Sequence, residues 1–166
     1  MKRSMIILGM MAIFLSACKK DKDKPEDDSY VISCDLAISF VNANGDDLLD
    51  SSLAGSYSFE KMRLYYLIND SIVEVYDTNM DVPRNMALIT ETAPVQLTVL
   101  TFSEPEGQPA PGEIRTGTAI AYLQLDSLDT DTITTEWEQG TNHFYNTKVW
   151  YNGVEQPVHS PFEVMK

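Results

Sequence analysis

Three acidic residues, Asp126, Asp129 and Asp131, fall in one short stretch, Asp126-Ser127-Leu128-Asp129-Thr130-Asp131. Several carboxylate oxygens at flexible spacing are what calcium takes. No glycine or bidentate glutamate follows at the offsets of an EF-hand, so the competing reading is a solvated turn shaped by Asp and Ser. The same choice arises at Asn42, Asn44, Asp46 and Asp47, where Asn44-Gly45 already accounts for a turn. For catalysis the chain offers two histidines, His143 and His159, and no Gly-x-Ser-x-Gly, His-Glu-x-x-His or phosphate-binding glycine loop. With 25 acidic residues, carboxylate pairs at glycosidase-like separation arise by chance and carry no weight. No catalytic residue is assigned, no cofactor is called for, and an enzyme is not the expected class.

Aromatic residues gather near the end: Trp137, Phe144, Tyr145, Trp150 and Tyr151. Under strict strand alternation Phe144, Asn146, Lys148 and Trp150 share one face, and Tyr145, Thr147, Val149 and Tyr151 the other. Aromatic rings combine apolar area with a polar tip and can stack on sugars when exposed. Trp137, Tyr145, Trp150 and Tyr151 are therefore candidate ligand-binding residues, against the alternative that they pack the core. Tyr65 and Tyr66 point to opposite faces, which leaves one of them for the surface.

The start of the chain carries a different chemistry. Lys2 and Arg3 precede the apolar run Met5 to Leu15, and Leu15-Ser16-Ala17-Cys18 closes it with small residues and a cysteine. That is the layout of a secretory signal, and the run is shorter than the ~20 residues a spanning helix needs. Leu15-Ser16-Ala17-Cys18 resembles a bacterial lipobox. The resemblance implies a thioether-linked diacylglycerol on Cys18, cleavage before it, and acylation of the new amino group. Residues 1–17 are then a signal peptide, 18–29 a lipidated cysteine and charged tether, and 30–166 one domain. The tether, Lys19 to Asp28, has no apolar residue and cannot form a core. It also resembles, in part, the charged export signals of Bacteroidetes surface lipoproteins, which implies an outer-membrane anchor facing the cell exterior, with the periplasmic side as the alternative.

Removing residues 1–17 leaves 149 of 166 residues, enough for one domain, and the loss of Lys2 and Arg3 takes the formal charge from −13 to −15. Such a surface repels phosphate backbones, so nucleic acid is not an expected partner. Lipidation of Cys18 would leave Cys34 alone, without an internal disulfide. Ile32, Cys34, Leu36, Ile38 and Phe40 alternate onto one strand face, and a buried, unreactive thiol is expected.

The elements that must position these residues read as strands. Val31 to Val41 alternates, and Met62 to Ile68 and Ile72 to Tyr76 flank the tight connection Asn69-Asp70-Ser71. Val95 to Phe102, Ala119 to Leu125, Thr132 to Glu138 and His143 to Tyr151 follow, and Asn152-Gly153 is the strongest hairpin signal. Val154 and Phe162 to Val164 supply short closing strands. Two long connections, Asp77 to Pro94 and Ser103 to Gly117, are candidate binding loops. The expectation is an all-β fold: an immunoglobulin-like β-sandwich of seven to nine strands, with a small β-barrel as the alternative. Phe40 to Leu49 and Lys148 to Gly153 resemble small uncharacterised Bacteroidetes lipoproteins of this architecture. The resemblance implies a fold and a compartment. Function is expected to be a non-catalytic binding or structural module, its partner a glycan or another surface protein. A subunit of a surface assembly or fimbria is the alternative, and a small hydrolase the second.

Overall fold

The structure, a computed structural model, describes residues 29–101 and 107–166. The expected signal peptide, Cys18 and nearly all of the tether lie outside these residues, as do the first positions of the second long connection. Among the described residues the strands are β1 (Val31–Ser33), β2 (Asp35–Val41), β3 (Arg63–Ile68), β4 (Ser71–Glu74), β5 (Met86–Ile89) and β6 (Gln96–Leu100). They continue as β7 (Arg115–Gln124), β8 (Thr130–Gly140), β9 (His143–Tyr151), β10 (Val154–Gln156) and β11 (Phe162–Met165). The only regular helical piece described is the short 3-10 turn Phe59–Lys61.

Two sheets result. The larger has the order β1-β9-β8-β7-β3-β4, with β10 also on β9; the smaller has the order β11-β2-β6-β5. The two do not close on each other, so the fold is a sandwich and not the alternative barrel. β2-β6-β5 facing β4-β3-β7-β8 is the order of strands B-E-D against C′-C-F-G in immunoglobulin-like sandwiches. β1, β9, β10 and β11 widen that core, which is why the strand count exceeds the expected seven to nine. Leu36, Ile38, Phe40, Leu97 and Val99 of the smaller sheet meet Leu64, Leu123, Ile133 and Val149 of the larger, all essentially buried. Each fully buried aliphatic side chain contributes roughly 1.5–3 kcal/mol.

Turns follow residue chemistry. Asn69 and Asp70 both have positive φ, as do Asn152 and Gly153, and each pair makes a two-residue hairpin connection. Asn42 Oδ1 accepts the N–H groups of Asn44 and Asp46, closing the turn at Gly45.

Three features depart from plain alternation. The expected first strand is two: β1 pairs β9 in the larger sheet, and after Cys34 the chain enters the smaller sheet as β2. Ile32 is consequently 54 % exposed and leaves the face occupied by Cys34, Leu36, Ile38 and Phe40. β5 lies inside the expected loop Asp77 to Pro94, where the unalternating run Met86-Ala87-Leu88-Ile89 reads poorly as a strand. Finally, the register of β8 with β9 jumps between Glu136↔Lys148 and Trp137↔Asn146, leaving Thr147 as an extra residue. This β-bulge changes which residues face the core.

Candidate functional site

The bulge at Thr147 divides the late aromatic cluster. Before it Phe144 and Asn146 point inward; after it Val149 and Tyr151 do. Tyr151 is 3 % exposed and packs edge-on to Phe162, with ring centroids 5.9 Å apart, so it belongs to the core and not to a surface platform. Trp137 also turns inward. Its ring tilts against Phe144 at 5.3 Å and lies over Gly117, where a Cβ would sit 2.3 Å from ring Cζ2. Tyr145 and Trp150 do face out, but each is engaged. Tyr145 OH donates to Glu138 Oε1 at 2.7 Å and its ring stacks on His143 at 5.0 Å. Lys148 Nζ sits 5.8 Å from the centre of the Trp150 ring while pairing with Glu136 at 2.9 Å. The four candidates thus form no common surface. Of the tyrosine pair, Tyr66 is buried, donating to Leu100 O at 2.7 Å, and Tyr65 faces out.

The three aspartates separate into two roles. Asp126 Oδ1 accepts the N–H groups of Leu128 and Asp129 and so shapes the turn. Asp129 and Asp131 both receive Lys166 Nζ, at 2.8 and 2.5 Å. The ammonium thus stands where a shared cation would, and among the described residues no three acidic, histidine or cysteine groups converge as a metal set. Asp131 also accepts from Tyr151 OH and, at 2.6 Å, from Asn152 Nδ2, while Tyr57 OH donates to Asp129 at 2.6 Å. Burial opposes ionisation of Asp129, but hydrogen bonds from Lys166 and Tyr57 outweigh it and hold the carboxyl below its ordinary range. In the earlier cluster Asp47 accepts Leu49 N–H and Val95 N–H, so its oxygens serve the backbone.

Cys34 is fully buried at the crossing between sheets, its Sγ 3.7 Å from Phe144 O. Burial pushes its thiol up to about 12, which leaves no thiolate for nucleophilic chemistry. His143 contacts Glu138 and Asn142, and neither is a nucleophile it could activate.

Among the described residues, two neighbouring surface recesses that could take a ligand lie beside β5. One recess of about 410 Å³ is lined by Phe59, Tyr76, Asp81, Val82, Arg84 and Leu88 among others. A second of about 780 Å³ shares Phe59 and Leu88 with it and has Asp50, Ser56, Tyr57, Ser58, Thr90 and Thr92 on its walls. Arg84 fixes the junction. Its Nη1 donates to Phe59 O at 3.1 Å, and its guanidinium lies 5.8 Å from the centre of the Phe59 ring. Tyr76 is 61 % exposed at the rim. The expected loop Asp77 to Pro94 thus does contribute to a groove, but its aromatic members, Phe59 and Tyr76, were not among the candidates. They sit at the ends of other segments, and only the pairing of β3 with β4 and the packing of the 3-10 turn bring them together. Of the second long connection, the described part ends where β7 starts at Arg115, paired with Glu113 at 2.8 Å.

Compared with protein-family profiles, with curated proteins and with solved structures, the chain matches none of them.

Proposed function

We propose that this chain is a lipid-anchored, non-catalytic binding module of the bacterial outer membrane that takes an extended glycan in the groove beside β5. The observation that carries the reading is the exposed Tyr76 ring at the rim of a recess that shares Phe59 and Leu88 with a neighbouring one carrying Ser and Thr hydroxyls on its walls. Sugar rings present an apolar C–H face that stacks on aromatic side chains, and hydroxyls that bond to carboxylates, hydroxyls and guanidinium groups. Asp81, Arg84, Ser56, Ser58 and Thr90 offer that second set. The two recesses share Phe59, so the shape suits a chain of sugars better than one compact ligand. The lipobox-like Leu15-Ser16-Ala17-Cys18 supplies the anchor and the charged tether the reach. A glycan array probed with the chain lacking residues 1–18 tests the reading. Binding to extended glycans that is lost in Tyr76→Ala, with thermal stability unchanged, supports it. Silence across the array sinks it.

One observation favours a second reading, a subunit of a surface assembly joined by strand addition. Leu100 N–H donates to Asn85 O, so Asn85, Ala87 and Ile89 bond toward β6. Met86 and Leu88 then turn their N–H and C=O groups to the open side of the edge strand, where an extended peptide could pair with them. An array-negative protein that binds a peptide strand at β5 would favour this reading.

A further inference from the structure

Lys166 follows β11 at the edge of the smaller sheet, and its backbone N–H donates to Val41 O at 2.8 Å. Its side chain runs inward and is 14 % exposed, with Nζ 2.8 Å from Asp129 Oδ1 and 2.5 Å from Asp131 Oδ2. Asp131, on β8 of the opposite sheet, is 4 % exposed. Aromatic rings wall the cluster: Phe40 lies 6.3 Å from both Tyr57 and Tyr151, and Phe162 packs on Tyr151.

An amine, a nearly buried carboxyl and a second carboxyl in contact with the same amine are the parts needed to make an amide. We propose that Lys166 and Asp131 condense into an intramolecular isopeptide bond that ties β11 of one sheet to β8 of the other. A proton passes from the Lys166 ammonium to the Asp131 carboxylate, giving a neutral amine and a neutral acid. The Lys166 Nζ lone pair attacks Asp131 Cγ and the C–N bond forms. Asp129 takes a proton from that nitrogen and delivers it to the departing Oδ2, which leaves as water when its bond to Cγ breaks. The sum is one ammonium and one carboxylate in, one amide and one water out, with Asp129 restored and no outside reactant.

Each neighbour has a part in this step. Asn152 Nδ2, 2.6 Å from Asp131 Oδ1, donates to the oxygen that carries negative charge in the tetrahedral intermediate. Tyr151 OH donates to Oδ2, the oxygen that leaves. Tyr57 OH holds Asp129 in place, and the hydrogen bonds from Tyr57 and Lys166 keep its carboxyl ionised with Oδ1 against Lys166 Nζ. The fold holds nucleophile and carboxyl in contact, which replaces a bimolecular encounter by a unimolecular one. The product also removes a desolvated charge pair, whose burial is costly, and leaves a neutral amide.

Peptide mapping of the purified full chain tests the proposal. Trypsin releases residues 116–148 and 149–166 as separate fragments if only an ion pair is present. The proposal predicts a single branched species, lighter than the two fragments together by one water, with the junction at Asp131 and Lys166. Lys166→Arg, which keeps the cation between the two carboxylates, should restore the linear fragments in a folded protein. Asp129→Ala should slow linkage by about 10²-fold. Linear fragments recovered from unsubstituted protein whose circular dichroism shows the folded β spectrum would overturn the proposal and leave an ion pair only.

Discussion

Cys34 owes its inertness to position. It occupies the single residue between β1 and β2, where the chain leaves one sheet for the other, and no solvent reaches it. With its thiol pushed up to about 12 by burial, it should not react with a disulfide reagent at neutral pH while the protein is folded. A Cys18→Ser chain should therefore show no titratable thiol until denaturant is added, and then one. Rapid labelling of the native protein would contradict the burial. The burial of Cys34 could be read from its alternating neighbours, but the crossing could not. Ile32 obeys the same alternation and still ends up exposed, because the break at Cys34 is a tertiary event with no local signal. The aspartates teach a related lesson. Their proximity was visible in six consecutive residues, whereas Lys166, which occupies two of them, is 35 residues from Asp131 in the chain.

At the scale of elements, the hairpin signals were the most legible part. Asn152 and Gly153 adopt the left-handed conformation that a two-residue turn requires. A Cβ at Gly153 would meet nothing within 4 Å, so Gly153→Ala should cost only its backbone strain, about 1–2 kcal/mol, measurable as a lower denaturation midpoint. Gly117 offers the contrasting case. Its φ is ordinary, but the Trp137 ring lies where a Cβ would go, so Gly117→Ala should destabilise by crowding, about 1–3 kcal/mol, and change Trp137 fluorescence. Unchanged emission would mean the ring does not rest on Gly117. The bulge at Thr147 was the feature hidden from alternation. One inserted residue reverses the faces of everything after it, and so Tyr151 enters the core while Trp150 turns out. β5 was hidden for another reason: Met86 to Ile89 shows no alternation, and its neighbours Pro83, Arg84 and Asn85 read as loop.

The whole molecule combines an acidic sandwich with an N-terminal segment that reads as an anchor. Cys18→Ala should release the protein from membranes into the soluble fraction and abolish labelling with a fatty-acid analogue. A variant that still partitions with membranes would contradict the lipoprotein reading. The β-rich class was legible because alternation and turn chemistry recur along the whole chain. The groove was not, because it is assembled from Phe59, Tyr76, Arg84 and Thr90, which share no motif and meet only where β4, β5 and the 3-10 turn come together. We propose this groove, and not the outer aromatic face of β8 and β9, as the binding site. Amide chemical-shift mapping with an extended glycan selected on an array tests it most directly. Perturbations are expected to group at Tyr76, Arg84, Leu88 and Thr90, with the amides around Tyr145 and Trp150 unmoved. Perturbations grouped instead at Tyr145, Lys148 and Trp150, or none at saturating glycan, would contradict it.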